Sequence, residues 1–215
     1  MKISLLSSDA SHPVAPYIAR WARAFISEGH DVDVVYEKSD LVGGEILFLI
    51  SFGEVLDKKI RQKFASTFVI HASDLPDGRG WSPHIWEIIN GRNKIIVSVI
   101  EAIENVDSGR IVAQGSFVLD GTELLDEINL KLFAVEGDLM SYVVKNYGDL
   151  VPKEQIGNCK NTYPRRTPAN SELDVNKTLG EQFNLLRVVD NERYPAFFEF
   201  AGKRYVLKIR KASFE

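Results

Sequence analysis

A histidine and an aspartate are the residues best suited by type to move a proton in this chain. His71 stands directly after the apolar run Thr67–Ile70 and opens the stretch HASDLPDGRGWSPHIWEIING, which packs two tryptophans, a Pro/Gly-rich loop and a helix start into a short span. Asp107 opens an Asp-Ser-Gly turn in NVDSGRIVAQ. A carboxylate beside an imidazole orients the ring and stabilises its cation, so the two side chains have the makings of a general acid/base pair. On spacing alone a plainer arrangement is also open: a histidine satisfied by a loop carbonyl, and an aspartate that only begins a turn.

Bringing these residues together requires a frame, and the chain supplies one by alternating short apolar runs with amphipathic stretches. That is the pattern of strands joined by crossover helices in a parallel sheet. KISLLSS reads as the first strand; a helix follows with Ser11 as N-cap, Pro13 just inside, Ile18, Trp21, Ala22, Phe25 and Ile26 at helical spacing, and Gly29 as its stop. Asp31–Tyr36 and Ile46–Ile50 read as the next strands, the second apolar throughout as expected of a strand covered on both faces. Lys58–Phe64 reads as a short helix, Thr67–Ile70 as a strand, His84–Asn90 as a helix, and Lys94–Ile100 and Ile111–Leu119 as strands. A long helix capped by Thr122 carries Leu125, Ile128, Leu132, Val135, Leu139 and Val143 on one stripe.

After Gly148 the composition changes. Residues 149–170 hold three prolines and the polar run NCKNTYPRRTPANS, a long loop. A last helix is expected over Lys177–Asp190 with Leu179, Phe183, Leu186 and Val189 inward, then strands AFFEF and RYVLKI around a turn at Ala201 and Gly202. The expected division is residues 1–148 as the catalytic domain and 149–215 as an α+β appendage of loop, helix and hairpin.

In an open parallel sheet, ligands gather at the carboxyl ends of the strands. His71 follows such a strand, and the loop after Lys94–Ile100 brings Asp107 toward the same edge.

Composition excludes several function classes. A formal charge of −4 and a pI near 5.7 provide no general attraction to polyanions, so neither a nucleic-acid nor a membrane partner is expected. The longest purely apolar run, Ile46–Ile50, is far below the roughly 20 residues of a spanning helix. Met1–Ser7 lacks the layout of a signal peptide, and the single Cys159 forms no internal disulfide and suits a reducing, cytoplasmic setting. His12 and His30 have no ligand partner at useful spacing, so no metal is expected. His84 is expected to be exposed at its helix start, and Trp86 to pack as core.

The stretch around His71, with NVDSGRIV, resembles the signature of the folate-dependent formyltransferases. Matching positions are His71, Ser73, Leu75, Pro76, Arg79, Gly80, Pro83, Trp86, Ile88, Asn90, Gly91, Asp107 and Gly109; Ser51, Phe52 and Gly53 resemble the family's loop after the preceding strand. The match covers roughly Glu45–Gln114 and implies a Rossmann-like formyltransferase fold of mostly parallel sheet. The tail is similar to that of nucleotide-sugar formyltransferases at Arg165, Arg166, Thr167, Pro168, Ser171, Arg187, Tyr194, Pro195 and Phe197, and the whole looks most like the branch linked to pseudaminic-acid-type sugars. Where methionyl-tRNA formyltransferases carry a larger C-terminal domain, this chain is expected to have no room for one.

The resemblance implies transfer of a formyl group from 10-formyltetrahydrofolate to the amine of a UDP-linked 4-amino-4,6-dideoxy sugar. His71 and Asp107 would be catalytic. Phe52, Gly53, Glu54, Val55, Glu101, Ala102, Ile103 and Val106 would border the folate. Ser73, Arg79, Gly80, Trp81, Arg165, Arg166, Arg187, Tyr194 and Phe197 would meet the sugar nucleotide, with Arg165, Arg166 or Arg187 at its phosphates, Tyr194 and Phe197 at its base and Trp81 walling the sugar pocket. Assembly as a homodimer is left open. One position departs from the family pattern: two residues before the histidine, Val69 replaces an asparagine that helps hold the oxyanion, and valine donates no hydrogen bond. Two rival readings follow, a catalytically degenerate binder of folate or nucleotide sugar, and a Rossmann-like protein reminiscent of glycosyltransferases at KISLLSSD and ARWARAFISEGHDVDVVY.

Overall fold

The computed structural model describes residues 1–212. Its frame is a six-stranded sheet built from β1 (Lys2–Leu6), β2 (Asp31–Val35), β3 (Gly44–Leu49), β4 (Phe64–His71), β6 (Lys94–Glu101) and β7 (Ile111–Val118), in the order β2-β1-β3-β4-β6-β7. The first four are mutually parallel, whereas β6 runs antiparallel to β4 and β7 antiparallel to β6. The fold is thus α/β with a mostly parallel sheet, and the expectation that the strand before Asp107 joins the parallel set is corrected. Between β4 and β6 lie the two-residue β5 (Arg79–Gly80) and helix α3 (Pro83–Ile89).

Two helices cover one face of the sheet. From α1 (Ala15–Ser27), Ile18, Ala22 and Phe25 meet Ile3, Leu5, Phe48 and Phe68, and from α4 (Leu125–Lys145), Ile128, Leu132, Phe133, Leu139 and Val143 complete the core. The opposite face carries a smaller cluster of Leu6, Leu41, Leu47, Leu49, Leu56 and Phe64, with Phe52, Val69 and Ala102 against it. Alternation along β4 therefore turns Phe68 and Ile70 toward the helices and Val69 away from them.

Several boundaries differ from the expected ones for local reasons. Helix α1 begins at Ala15 after Val14, because Ser11 is engaged by Asp9, whose carboxylate accepts from its N–H and hydroxyl at 2.7 Å. Helix α4 is capped from within: Glu127 accepts from the Leu124 N–H at 2.9 Å, while Thr122 bonds Asp120. Helix α2 is confined to Lys58–Arg61, and Phe64 already opens β4.

The chain beyond α4 folds back on the sheet. Lys153 exchanges backbone hydrogen bonds with Ile111, and β8 (Thr162–Tyr163) pairs in parallel with β5. The expected helix over 177–190 shrinks to α5 (Phe183–Leu186): Gln182 and Glu181 close local turns on Asp174 and Thr178, and Leu179 is 65% exposed rather than inward. The hairpin of β9 (Ala196–Phe200) and β10 (Lys203–Leu207) forms as expected. Its core of Leu173, Leu186, Val189 and Ala196 is separate from that of the sheet, and a polar anchor joins the two: buried Arg187 donates to Asn93 at 2.7 Å and lies 3.7 Å from Glu123.

Glu136 is a buried carboxyl of α4 whose Oε2 has no hydrogen-bond partner among the described residues. Burial pushes its pKa up to about 8. Because the unfolded carboxyl ionises near 4.5, the stability that the neutral form contributes is complete below that pH and lost as pH rises through about 8. Glu136→Gln should therefore flatten the decline in melting temperature between about pH 4.5 and about pH 8 and melt higher than the parent at the upper end; thermal melts across that range provide the check.

Candidate active site

His71 is the last residue of β4, and its ring is 7% exposed. Nε2 lies 2.9 Å from the Gly78 carbonyl, which can only accept, so this nitrogen carries a proton. Nδ1 faces Asp107 Oδ1 at 3.6 Å, an ion-pair separation too long for a direct hydrogen bond. The other carboxylate oxygen accepts from the Gly80 N–H at 2.9 Å, and the Asp107 side chain is 8% exposed. Both sequence readings are thus realised at once: the histidine is satisfied by a loop carbonyl, and it also sits beside the aspartate.

The topology that delivers Asp107 is not the repeated strand-end geometry of a parallel sheet. Asp107 rides on the hairpin loop between antiparallel β6 and β7, with φ of 53°. Two glycines make the approach possible. A side chain at Gly109 would run into the Glu101 carbonyl, and one at Gly80, whose φ is 100°, into the Tyr163 carbonyl. The Asp-x-Gly and Arg-Gly pairs of the sequence are therefore requirements of close backbone packing.

Beside His71 runs a row of polar side chains that a strand-by-strand reading passed over. Register pairs His71 with Ser98 and Ser98 with Gln114. Gln114 Nε2 donates to Ser98 Oγ at 3.0 Å and to Asp74 at 3.3 Å, and Ser98 Oγ donates to the Ser73 carbonyl at 2.7 Å. The available signal was a polar residue interrupting an apolar strand, as in KIIVSVIE. The Ser73 hydroxyl is buried with no hydrogen-bond partner among the described residues.

The two expected folate loops are brought together. Arg61 donates to the carbonyls of Leu56 at 3.2 Å and Ala102 at 2.8 Å, tying the loop after β3 to the loop after β6. In the first, Gly53 N donates to Ser8 Oγ at 2.8 Å, Glu54 pairs with Lys38, and Val55 is exposed. In the second, Arg110 grips Glu101 with two hydrogen bonds, Ala102 N donates to the Thr67 carbonyl, and Ile103 and Val106 are exposed.

The expected sugar-nucleotide residues divide. Arg79 donates to Gln155 at 2.9 Å. Trp81 is partly exposed, packs so close to Gly53 that a Cβ there would lie 2.7 Å from the indole, and carries the exposed Arg165 guanidinium 4.9 Å above its ring. Tyr194 is half-buried. Three assignments are corrected. Arg187 is wholly buried and committed to Asn93, Asn184 and Glu123, so it cannot meet a phosphate. Phe197 is buried beneath Arg204, whose guanidinium lies 4.2 Å from its ring centre, which leaves no face for a base. Arg166 is turned inward onto the Val188 and Asn170 carbonyls and Ser171. His84 is not exposed as expected: its Nδ1 is buried without a partner, and burial, then the charge of His71, lowers its pKa to about 3. Trp86 is half-buried, stacks on Tyr163 and donates to the Pro164 carbonyl. Among the described residues no group of three or more His, Cys, Asp or Glu side chains is arranged to hold a metal ion, and no helix is long and apolar enough to cross a membrane.

Residues 8–144 match the family model described as Formyl transferase. The chain belongs to that family. A methionyl-tRNA formyltransferase from Streptococcus suis is 28% identical over 148 residues, which cover 68% of this chain and 47% of the relative; the chain spans about half the length of the curated relatives it matches. The fold is shared with a methionyl-tRNA formyltransferase from Clostridium thermocellum (TM-score 0.82, 22% identity, 99% of this chain and 94% of that one). It is also shared with a likely sugar N-formyltransferase from Mycobacterium tuberculosis (0.77, 18%, 100% and 99%), and with HypX from Aquifex aeolicus in complex with tetrahydrofolic acid (0.76, 19%, 97% and 37%). The matched span holds His71, Asp107 and both loops tied by Arg61, while Arg165, Tyr194 and the hairpin lie beyond it.

Asp77 fastens the tail to the motif. Its Oδ1 accepts from the N–H groups of Gly78, Lys160 and Asn161 at 3.1, 3.2 and 2.8 Å, and Oδ2 from the Asn161 amide. Asp77→Ala leaves those backbone donors to solvent, at about 1–2 kcal/mol. Limited proteolysis should then cut residues 153–163 faster than in the parent, with the sheet remaining protected.

Proposed function

We propose that this protein transfers a formyl group from 10-formyltetrahydrofolate to the amine of a nucleotide-linked amino sugar, a UDP-4-amino-4,6-dideoxy sugar of the pseudaminic-acid type. The observation that carries the reading is the buried His71–Asp107 pair at the end of β4, bordered by the two loops that Arg61 ties together. Folate binds beside those loops, at residues 52–55 and 101–106. The amine nitrogen attacks the formyl carbon, and a tetrahedral intermediate forms whose oxyanion needs a positive or hydrogen-bonding neighbour. His71 accepts at Nδ1 the proton the amine loses and returns it from there to the departing folate nitrogen, Nε2 keeping its proton on the Gly78 carbonyl, and Asp107 stabilises the imidazolium in between.

Val69 lies on the strand face turned away from the helices, packed against the smaller apolar cluster. It supplies no donor, so oxyanion stabilisation in this reading falls to the His71 cation and to backbone N–H groups at the strand end.

Support for a sugar acceptor comes from charge and from the Trp81–Arg165 pair. The net charge of −4 gives no broad attraction for a tRNA, and Trp81 with Arg165 above it offers an aromatic plane and a solvent-facing guanidinium beside the motif, suited to a nucleoside diphosphate. A folate donor and a nucleotide-sugar acceptor place the reaction in the cytoplasm. Formyl transfer assayed against a panel of UDP-4-amino sugars, with initiator methionyl-tRNA alongside, tests the acceptor: an N-formylated sugar is expected, and formylation of the tRNA alone would overturn the assignment. His71→Ala should reduce turnover about 10²- to 10⁴-fold with an unchanged circular-dichroism spectrum and melt; near-parental activity would remove His71 from the mechanism.

A further inference from the structure

The loop that presents Asp107 is closed at its base by Arg110 on Glu101 and within by Ser108, which bonds the Asn105 and Val106 carbonyls, but these local bonds do not tie it to the segment that carries Gly80. Ile103, Glu104, Asn105 and Val106 are exposed, and Asp107 itself occupies the left-handed region, which aspartate adopts more readily than most residues with a side chain. A hydrogen bond from Gly80 steers the carboxylate, but the backbone beneath it is fixed from elsewhere. Gln155 Nε2 donates to the carbonyls of both Asp107 and Gly109, each at 2.9 Å, and Gln155 Oε1 accepts from Arg79 Nη2 at 2.9 Å. One amide therefore uses both its protons and its oxygen to join the Asp107 loop to the segment that carries Gly80.

Gln155 is itself anchored. Two residues before it, Lys153 exchanges backbone hydrogen bonds of 2.7 and 2.8 Å with Ile111, the first residue of β7, and Asp77 clamps the chain beyond it at Lys160 and Asn161. Its side chain is half-buried between exposed Glu154 and Ile156, the latter 91% exposed. In this otherwise solvated stretch Gln155 is turned inward, and its position is held at both ends.

We propose that Gln155 is a positioning residue of the active site, holding the Asp107 backbone against Arg79 and Gly80 and so setting the 3.6 Å separation between Asp107 and His71. The chemistry at that position needs an amide. Glutamate has nearly the same shape and keeps the acceptor for Arg79, but it has no N–H to donate and turns a carboxylate toward two carbonyl oxygens. Alanine removes both arms. The tail therefore takes part in catalysis through Gln155 without touching a substrate.

The activity arm of the test rests on the formyl-transfer reading; the exchange arm does not. Full-length parent, Gln155→Glu and Gln155→Ala are compared in formyl-transfer kinetics and in hydrogen exchange of the peptide spanning residues 102–110. Both variants are expected to lose about 10- to 100-fold in kcat, the scale of a small misplacement of a catalytic group, with KM for both substrates within about two-fold of the parent, and to exchange faster in that peptide. Gln155→Glu, near-isosteric with the parent, keeps the test decisive if Gln155→Ala does not fold. A glutamate variant with parental kcat, a loss confined to KM, or unchanged exchange in residues 102–110 overturns the proposal. If the parent transfers no formyl group to any acceptor, the functional reading fails on that result, and the exchange comparison still decides whether Gln155 holds the loop.

Discussion

A buried carboxylate must have both its oxygens accounted for, and at Asp107 this requirement organises the site. With the side chain 8% exposed, one oxygen is taken by the Gly80 N–H and the other faces the His71 ring. Leaving either without a partner would strand charge out of water, at several kcal/mol. The constraint propagates outward. Gly80 must lie close enough to donate, which forces its left-handed conformation and its contact with the Tyr163 carbonyl; Gly109 must lack a side chain for the hairpin loop to close on Glu101.

The division of the sheet into two unequal faces explains why the site lies where it does. Helices α1 and α4 bury one face under most of the core. The other carries only a small apolar cluster and, near the end of β4, gives way to the row His71, Ser98 and Gln114. An imidazole on the thickly covered face would lie beneath the helices, whereas on the thin face His71 is bordered by loops.

The tail joins the sheet through two kinds of contact with different uses. Arg187 with Asn93 and Glu123 is a buried structural anchor, and Phe197 belongs to the local core under Arg204. Asp77, Gln155 and the β5–β8 pairing lie at the site itself. Arg165 over Trp81 remains the part of the tail that faces both solvent and the motif.

The sequence by itself determined the α/β alternation and the apolar stripes of α1 and α4, because periodicity is a property of neighbouring residues; the association of His71 with Asp107 came from the resemblance of the motif to the folate-dependent formyltransferases. It also pointed to the loops at Phe52 and Ala102. Only the tertiary structure decided the direction of β6, since KIIVSVIE is apolar enough to run either way and its partner is selected by the loop containing α3. The fate of the arginines was likewise illegible: Arg165, Arg166 and Arg187 read alike as basic residues of a tail, yet one faces solvent over an indole and two turn inward, according to which carbonyls and carboxylates the fold brings near them. Gln155 gave no sign at all. Its two acceptors lie more than forty positions earlier in the chain, and a hydrogen bond between residues so far apart exists only once the backbone has folded to bring them within reach.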